Sequence, residues 1–210
     1  MEVWIDSIQL DTIRTAKALG LLHGVTTNPS ILPKSKELLT IQQLLDNQEG
    51  PITVQVRDKD SCSMLEQALA LEEISERIIV KIPVTQEGLK AIHVLSKKGI
   101  QIMATIVFSA SQYLFAAKAG ATYVAPYYSG INKSGLNADQ ELMHMLDMKE
   151  RYKFPTKLLA ASLQNLEDIQ RCIDIGVDAI TLKDSLFFEW IKDHPLTQER
   201  ERNFLIPSID

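Results

Sequence analysis

A lysine stands in the middle of a short β-branched run, RIIVKIPVT, at residues 77–85. Apolar residues flank Lys81 on both sides, so an ammonium there costs free energy unless it is paired, neutral or engaged in chemistry. Desolvation lowers the pKa of a lysine, and the neutral amine is a nucleophile that can condense with a ketone to give a Schiff base. The protonated imine withdraws electrons, which allows the neighbouring C–C bond to be made or broken.

Polar residues at the ends of other apolar runs supply the remaining groups that such chemistry requires. Asp6, Gln55, Thr105 and Tyr127 offer a carboxylate, an amide, a hydroxyl and a phenol, which can hold substrate hydroxyls and move protons. Because side chains alternate along a strand, several polar residues share a face with an inner neighbour. These pairs are Thr26 with Asn28, Thr53 with Gln55, Ile79 with Lys81, Met103 with Thr105, and Tyr123 with Tyr127.

The alternative interpretation is that these polar residues only mark where strands give way to loops. It explains Ser162 and Thr181 taken singly. It explains Lys81 and Gln55 poorly, because apolar residues continue each run beyond them. The set as a whole therefore favours a functional site.

Eight short apolar runs must position these side chains. They are continuous rather than alternating, which is typical of strands covered on both faces. The predicted strands are 3–6, 24–28, 52–56, 78–83, 101–107, 123–127, 157–162 and 179–183.

Helix signals lie between the runs, and they begin at residues that can cap an N-terminus. Strict alternation of strand and helix implies a parallel sheet, and eight units favour one closed (β/α)8 TIM barrel over an open doubly wound sheet, which stays the alternative. We predict a single domain over residues 1–210 with an extra C-terminal helix. The expected caps are Ser7, Asp60, Thr85, Ser109, Asn137 and Asn165.

Composition narrows the function classes. The net charge is -5 with a pI near 5.4, and the absence of a basic stripe argues against a nucleic-acid partner. No apolar run approaches the roughly 20 residues of a membrane span, and MEVWIDS does not read as a secretory signal. Two separated cysteines and four scattered histidines predict no disulfide framework and no metal site. We expect a cytoplasmic protein.

Blocks spread over the whole chain resemble the transaldolase superfamily, and within it the small fructose-6-phosphate aldolase and transaldolase-like subfamily. The most specific are GVTTNPSI at 24–31 and IIVKIPVTQEGLKAI at 78–92. The others are WIDS at 4–7, AGATYVAPY at 119–127, LLAAS at 158–162 and HPLT at 194–197.

The resemblance implies a class I, Schiff-base mechanism on a (β/α)8 barrel, with neither metal nor cofactor. Lys81 matches the family's Schiff-base lysine, and Asp6 matches an aspartate that contacts substrate hydroxyls. Thr26 and Asn28 match positions that line the site, and Ser162 matches a serine that contacts the substrate. Small sugars, ketones and aldehydes are the implied substrates.

Two positions separate the subfamilies. The resemblance implies that a glutamate on strand 3 positions the catalytic water in transaldolases, whereas the aldolases have glutamine, as this chain has in Gln55. Tyr127 likewise matches the aldolases, and with Thr105 these residues would hold the water that relays protons. A class I aldolase with a dihydroxyacetone-type donor is favoured, with transaldolase as the nearer alternative.

Two other classes are weighed beside it. A non-catalytic sugar-binding barrel is a further alternative, although the intact chemical residues disfavour it. An isomerase barrel should have a glycine-rich phosphate loop after strand 7 or 8, and the sequence has none there.

The chain departs from the family where the substrate phosphate should be bound. The resemblance implies an arginine after strand 6 and a basic residue after strand 7, but Gly130 and Gln164 stand in those places. We include Gln164 among the substrate-binding candidates. Either nearby Lys133 and Lys183 compensate, or the acceptor is an unphosphorylated aldehyde or sugar.

The C-terminal segment 194–210 carries more apolar residues than a barrel requires, as does the chain just before it. Trp190, Phe204, Leu205 and Ile206 are the examples. In resembling proteins this segment packs on a neighbouring subunit, so we expect a homo-oligomer, a pentamer or decamer. The alternative is a helix folded back on its own barrel.

Overall fold

The computed structural model describes residues 1–205 and forms a closed barrel of eight parallel strands, paired in chain order. This confirms the predicted (β/α)8 TIM barrel and excludes the open sheet. Strand lengths agree with the predicted runs to within one or two residues. The strands are β1 (Glu2–Asp6), β2 (Gly24–Thr26), β3 (Ile52–Gln55), β4 (Ile78–Pro83), β5 (Ile102–Val107), β6 (Tyr123–Pro126), β7 (Lys157–Ala160) and β8 (Ala179–Leu182).

Helices surround the barrel and follow each strand. Those of the regular alternation are α1 (Leu10–Ala18), α2 (Glu37–Asn47), α3 (Ser61–Glu72), α4 (Gln86–Ser96), α5 (Ala110–Ala119), α7 (Ala138–Tyr152) and α8 (Leu166–Ile175). Two short helices, α6 (Tyr128–Lys133) and α9 (Asp184–Trp190), were not predicted and begin directly after β6 and β8. The extra C-terminal helix is present as α10 (Pro195–Leu205). The last part of the predicted tail, 206–210, lies outside the described residues.

Local capping chemistry explains where five of the seven helices in the regular alternation begin. The side chains of Asp60, Thr85, Ser109, Asn137 and Asn165 each accept a hydrogen bond from a backbone N–H in the first turn, as predicted. Each satisfies a donor that the helix itself leaves unpaired.

The predicted cap at Ser7 is wrong. The Ser7 hydroxyl accepts from the backbone N–H of Gln9 at 2.9 Å, and α1 starts at Leu10 with Gln9 as an uncapped N-terminal residue. Ser7 therefore closes a turn between β1 and α1, because a serine side chain satisfies a nearby backbone donor as readily outside a helix as at its end.

The barrel interior is apolar below the C-terminal ends of the strands. Trp4, Ile79, Met103, Tyr123 and Leu159 pack against one another inside it, and Trp4 is fully buried. Inward-facing residues alternate along each strand, so the next inward residue lies two positions further along, nearer the C-terminal end. The packed apolar interior therefore forms the bottom of the region that the polar side chains line.

Two residues at the C-terminal ends of the strands have left-handed backbone conformations. Ile106 has φ 60° where the pairing of β5 with β6 shifts register between Thr105 and Val107, which is a β-bulge. Ser162 has φ 63° just after β7. Such conformations are costly for residues other than glycine, and they concentrate at functional sites.

None of the helices in residues 1–205 has both the length and the apolar character that a membrane crossing requires.

Candidate active site

Lys81 lies near the C-terminal end of β4 and is only 4% exposed. Its Nζ donates to the backbone carbonyl of Thr27 at 3.2 Å. Burial lowers the pKa of Lys81 below its ordinary value, and the negative charge of Asp6 opposes that shift in part. Burial therefore favours the neutral amine. The position of Lys81 at the C-terminal face of the barrel makes that amine accessible to a substrate.

Asp6 ends β1 and is held by side chains of the adjacent strand and loop. Thr26, its register partner on β2, donates through Oγ1 to Asp6 Oδ1 at 2.9 Å. Nδ2 of Asn28 reaches both carboxylate oxygens at 3.4 and 3.5 Å. The Thr26 hydroxyl also lies 2.7 Å from that of Thr181 on β8. The carboxylate therefore has a fixed orientation and keeps lone pairs for substrate hydroxyls.

Gln55 stands directly beside Lys81, because the two residues are register partners on β3 and β4. Its side chain lines the same cavity as the lysine. A neutral amide offers donors and an acceptor without adding charge next to the amine. A carboxylate there would raise the pKa of the lysine, whereas the glutamine leaves the effect of burial unopposed from this side.

Thr105 and Tyr127 form a hydroxyl pair on the strands that follow Lys81. Thr105 Oγ1 donates to the phenol oxygen of Tyr127 at 3.3 Å. Burial raises the pKa of Tyr127, the hydrogen bond with Thr105 lowers it, and the charge of Asp6 raises it further. The phenol stays protonated at neutral pH and can donate a proton or hold a water molecule.

These residues surround one cavity of about 400 Å³ at the mouth of the barrel. The loop after β2 forms part of its rim, and Arg57 anchors that loop by donating to the Leu32 carbonyl and to Glu37. Of the predicted residues, Thr26 and Thr105 contact the lining groups from below. The cavity is lined by Asp6, Asn28, Pro29, Ser30, Gln55, Lys81, Ile106, Tyr127, Ala161, Ser162, Leu163, Thr181 and Lys183.

Ser162 enters the cavity through its left-handed turn rather than by strand alternation. Its hydroxyl lies 2.7 Å from that of Ser129 on α6. Gln164 is exposed and lies outside the cavity lining, because its Nε2 donates to the Ser162 carbonyl at 2.9 Å. The structure thus gives Gln164 a place in holding the Ser162 turn.

Gly130 lies on α6, close to the ring of Phe108. A Cβ at this position would stand 2.6 Å from Phe108 Cε1, which is closer than side chains tolerate. An aromatic ring therefore lies in the space where a side chain at residue 130 would begin.

The sequence reasoning passed over six lining residues, among them Thr181 and Ile106, and left Lys183 in doubt. Thr181 was treated as an ordinary strand end, although its alternation with Ala179 could have revealed its inward face. Ile106 gave no signal, since a bulge within a continuous apolar run leaves no trace in the sequence. Lys183, considered only as one possible compensation, lines the cavity.

No group of three or more histidine, cysteine, aspartate or glutamate residues within 1–205 is arranged to hold a metal ion. The polar groups around Lys81 are instead hydroxyls, amides and one carboxylate. They suit a polyhydroxylated carbonyl compound held next to an amine.

Comparison with known proteins agrees with this geometry. Residues 3–207 match the family described as Transaldolase/Fructose-6-phosphate aldolase. The chain belongs to that family. A protein named "Probable transaldolase" from Coprothermobacter proteolyticus is 35% identical over 98% of this chain and 95% of its own length. Proteins with the same name from Leptospira biflexa and Streptococcus pyogenes are 34% and 33% identical, each over 98% of this chain and 96% of its own length.

As a member of the transaldolase/fructose-6-phosphate aldolase family, the protein is an enzyme of the aldolase and transaldolase type. Family membership and the buried Lys81 support a class I aldolase-type activity, and they displace the non-catalytic alternative.

Proposed function

We propose that this protein is a class I aldolase that joins a dihydroxyacetone-type ketone to an aldehyde through a Schiff base on Lys81, and that it catalyses the reverse cleavage. The observation that carries the proposal is the burial of the Lys81 amine beside Gln55. Desolvation favours the neutral amine that must attack the ketone.

The remaining groups are arranged for the steps that follow. The neutral amine adds to the ketone, and with the uptake of one proton water leaves, which gives a protonated imine. Loss of a proton from the neighbouring carbon gives an enamine, whose carbon attacks the aldehyde and forms the new C–C bond while the aldehyde oxygen takes up a proton. Water then hydrolyses the imine, which releases the ketose and one proton and restores the amine. Asp6 accepts hydrogen bonds from substrate hydroxyls, and Gln55, Thr105 and Tyr127 hold the water that carries protons.

Gln55 supports aldolase over transaldolase activity. An amide can position water, but it lacks the charge with which a carboxylate would draw a proton from that water. Transaldolase activity, the transfer of a dihydroxyacetone unit between sugar phosphates, is the second candidate. The name shared by the relatives, "Probable transaldolase", favours this second candidate.

We further propose an unphosphorylated acceptor. Phe108 fills the space next to Gly130, and the Gln164 amide donates one of its hydrogens to the Ser162 carbonyl. A phosphate dianion is bound best by cationic donors, and these two positions supply no cation.

We also propose an oligomeric state and a cellular compartment for the enzyme. On α10, Phe204 is 84% exposed and Leu205 is 75% exposed, which supports a homo-oligomer, as a pentamer or decamer, in which this helix packs on a neighbour. Cys62 and Cys172 are free thiols, which supports a reducing cytoplasm.

Borohydride reduction in the presence of dihydroxyacetone tests the mechanism. We expect a reduced adduct on Lys81, located by peptide mass mapping, and no adduct in Lys81→Met. Lys90→Met, which removes an exposed lysine, serves as the matched control and should label like the parent. A folded protein that forms no adduct with any small ketone would contradict the proposal.

A rate comparison separates the two activities. An aldolase should release free dihydroxyacetone from its ketose substrate whether or not an acceptor aldehyde is added. A transaldolase should require erythrose 4-phosphate as acceptor, and strict dependence on that acceptor would favour the second candidate.

A further inference from the structure

We propose that Lys183 makes the enzyme selective for an acceptor aldehyde that carries a carboxylate at the end remote from its carbonyl. This inference rests on the proposed aldolase function and names the class of its acceptor. It starts from a cation that the Schiff-base chemistry does not use.

Lys183 follows β8 and continues the inward alternation of that strand. Ala179 packs in the barrel interior, Thr181 contacts Thr26 by a hydroxyl, and Lys183 lines the cavity above them. Lys81 and Lys183 are the basic residues of the cavity lining in the described part of the chain. Lys81 is consumed by the imine, so Lys183 is the cation left to bind substrate.

The position of Lys183 suits the far end of a substrate. In the closed barrel β8 stands four strands from β4 in either direction, so Lys183 and Lys81 belong to opposite walls of the mouth. A product held as an imine on Lys81 extends across the cavity towards Lys183. The acceptor portion is the part of that product remote from the imine, and its terminal group reaches the lysine.

Lys183 forms no ion pair with the carboxylates next to it in the described part of the chain. Asp6 and Asp184 line the adjoining surface with Lys183, but within residues 1–205 neither forms an ion pair with it. Ser162, on the neighbouring strand end, adds a hydroxyl to the same side of the cavity. Since Ser162 and Ser129 share one hydrogen between their oxygens, one hydroxyl hydrogen stays free to donate.

Charge decides between a carboxylate and a phosphate. With the imine protonated, the residues that line the cavity carry two positive charges, on the imine and Lys183, and one negative charge on Asp6, whereas Asp184 lies outside this lining. The surplus of one positive charge balances one carboxylate. A phosphate monoester carries about −1.5 to −2 at pH 7, which one lysine and neutral hydroxyls leave partly uncompensated.

Matched aldehydes test the proposal. With dihydroxyacetone as donor, kcat/KM is measured for 4-oxobutanoate and butanal, which differ by a carboxylate, and for glyceraldehyde and its 3-phosphate. We expect the parent to favour 4-oxobutanoate over butanal. Lys183→Met should lower that ratio about ten- to hundred-fold, mainly through KM, because a charge-assisted contact is lost. Lys183→Arg should retain most of it.

Lys133→Met is the matched control, since Lys133 is an exposed lysine on α6 outside the cavity lining, and it should leave the ratio unchanged. A parent that prefers butanal or glyceraldehyde 3-phosphate overturns the proposal. So does an unchanged ratio in Lys183→Met.

The unreactive analogue 4-hydroxybutanoate separates this proposal from the aldolase mechanism. Its binding, measured by calorimetry, should weaken in Lys183→Met and with rising salt. If borohydride finds no adduct but this lysine-dependent binding persists, the mechanism fails and the carboxylate site stands. If adducts form but binding ignores Lys183, the mechanism stands and the carboxylate site fails.

Discussion

The ring of Phe108 lies where a side chain at Gly130 would begin, with Cε1 only 2.6 Å from the position of a Cβ. The ring also meets Tyr127 edge-on at 6.0 Å between centroids. The absence of a side chain at residue 130 is therefore coupled to aromatic packing beside the active site. A basic side chain cannot be introduced there by one substitution without moving the ring.

This coupling predicts a change of sign in a double-mutant cycle. Gly130→Ala should destabilise the parent by about 1–3 kcal/mol through overpacking against the ring. In a Phe108→Ala background the same change should stabilise by about 0.5–1 kcal/mol, because alanine is the better helix residue and the obstacle has gone. Urea unfolding of the four proteins measures both effects, and additive changes would show that the ring does not limit residue 130.

Hydrogen bonding to Asp6 predicts unequal effects for two threonines that contact each other. Thr26→Val removes a donor to the carboxylate and should lower kcat about tenfold or more, since a hydrogen bond to a charged group is lost. Thr181→Val removes a hydroxyl that contacts Thr26 but not the carboxylate, and it should cost about fivefold or less. Steady-state kinetics with one ketose decides, with melting temperatures as the folding control, and equal losses would contradict this ordering.

Burial of Lys81 predicts that its removal stabilises the protein while abolishing imine formation. Its pKa is lowered in the folded state, so protonation opposes folding. The penalty is complete below the folded pKa and fades as pH rises from that value to the ordinary 10.5. Lys81→Met should therefore gain roughly 1–4 kcal/mol at neutral pH and progressively less at alkaline pH. Denaturant unfolding across pH measures the gain.

Exposed Lys90 provides the comparison for this experiment, because Lys90→Met should change stability little at any pH. In the parent, kcat/KM should rise with pH and level off below 10.5, since the neutral amine reacts. A stability gain in Lys81→Met that grows with pH would contradict the prediction that protonation of Lys81 opposes folding.

The apolar face of α10 predicts a change in assembly. Phe204→Asp combined with Leu196→Asp should shift the enzyme to smaller species in light scattering, because both side chains are largely exposed on the single chain. Leu136→Asp, at an exposed apolar residue outside α10, should leave the mass unchanged. A parent that is already monomeric would contradict the proposed oligomer.

Sequence patterns were sufficient for the barrel and for the starts of α3, α4, α5, α7 and α8. Short continuous apolar runs are typical of strands covered on both faces, and Asp60 or Asn165 signals a helix because its side chain meets a local backbone donor. Ser7 failed as a cap for the same local reason, since its hydroxyl finds another backbone donor nearby. Such interactions span few residues, so they can be predicted from the chain alone.

The sequence by itself determined that Lys81 lies in an apolar strand, that Gln55 ends the strand before it, and that the uncharged residues Gly130 and Gln164 follow β6 and β7. Tertiary structure alone decided what surrounds them. It joined Thr26 to Thr181, 155 residues away, placed the Phe108 ring against Gly130, and brought Lys183 to the cavity wall. These relations depend on barrel closure, on the bulge at Ile106 and on side-chain packing, which arise between distant segments and leave no periodic pattern in the sequence.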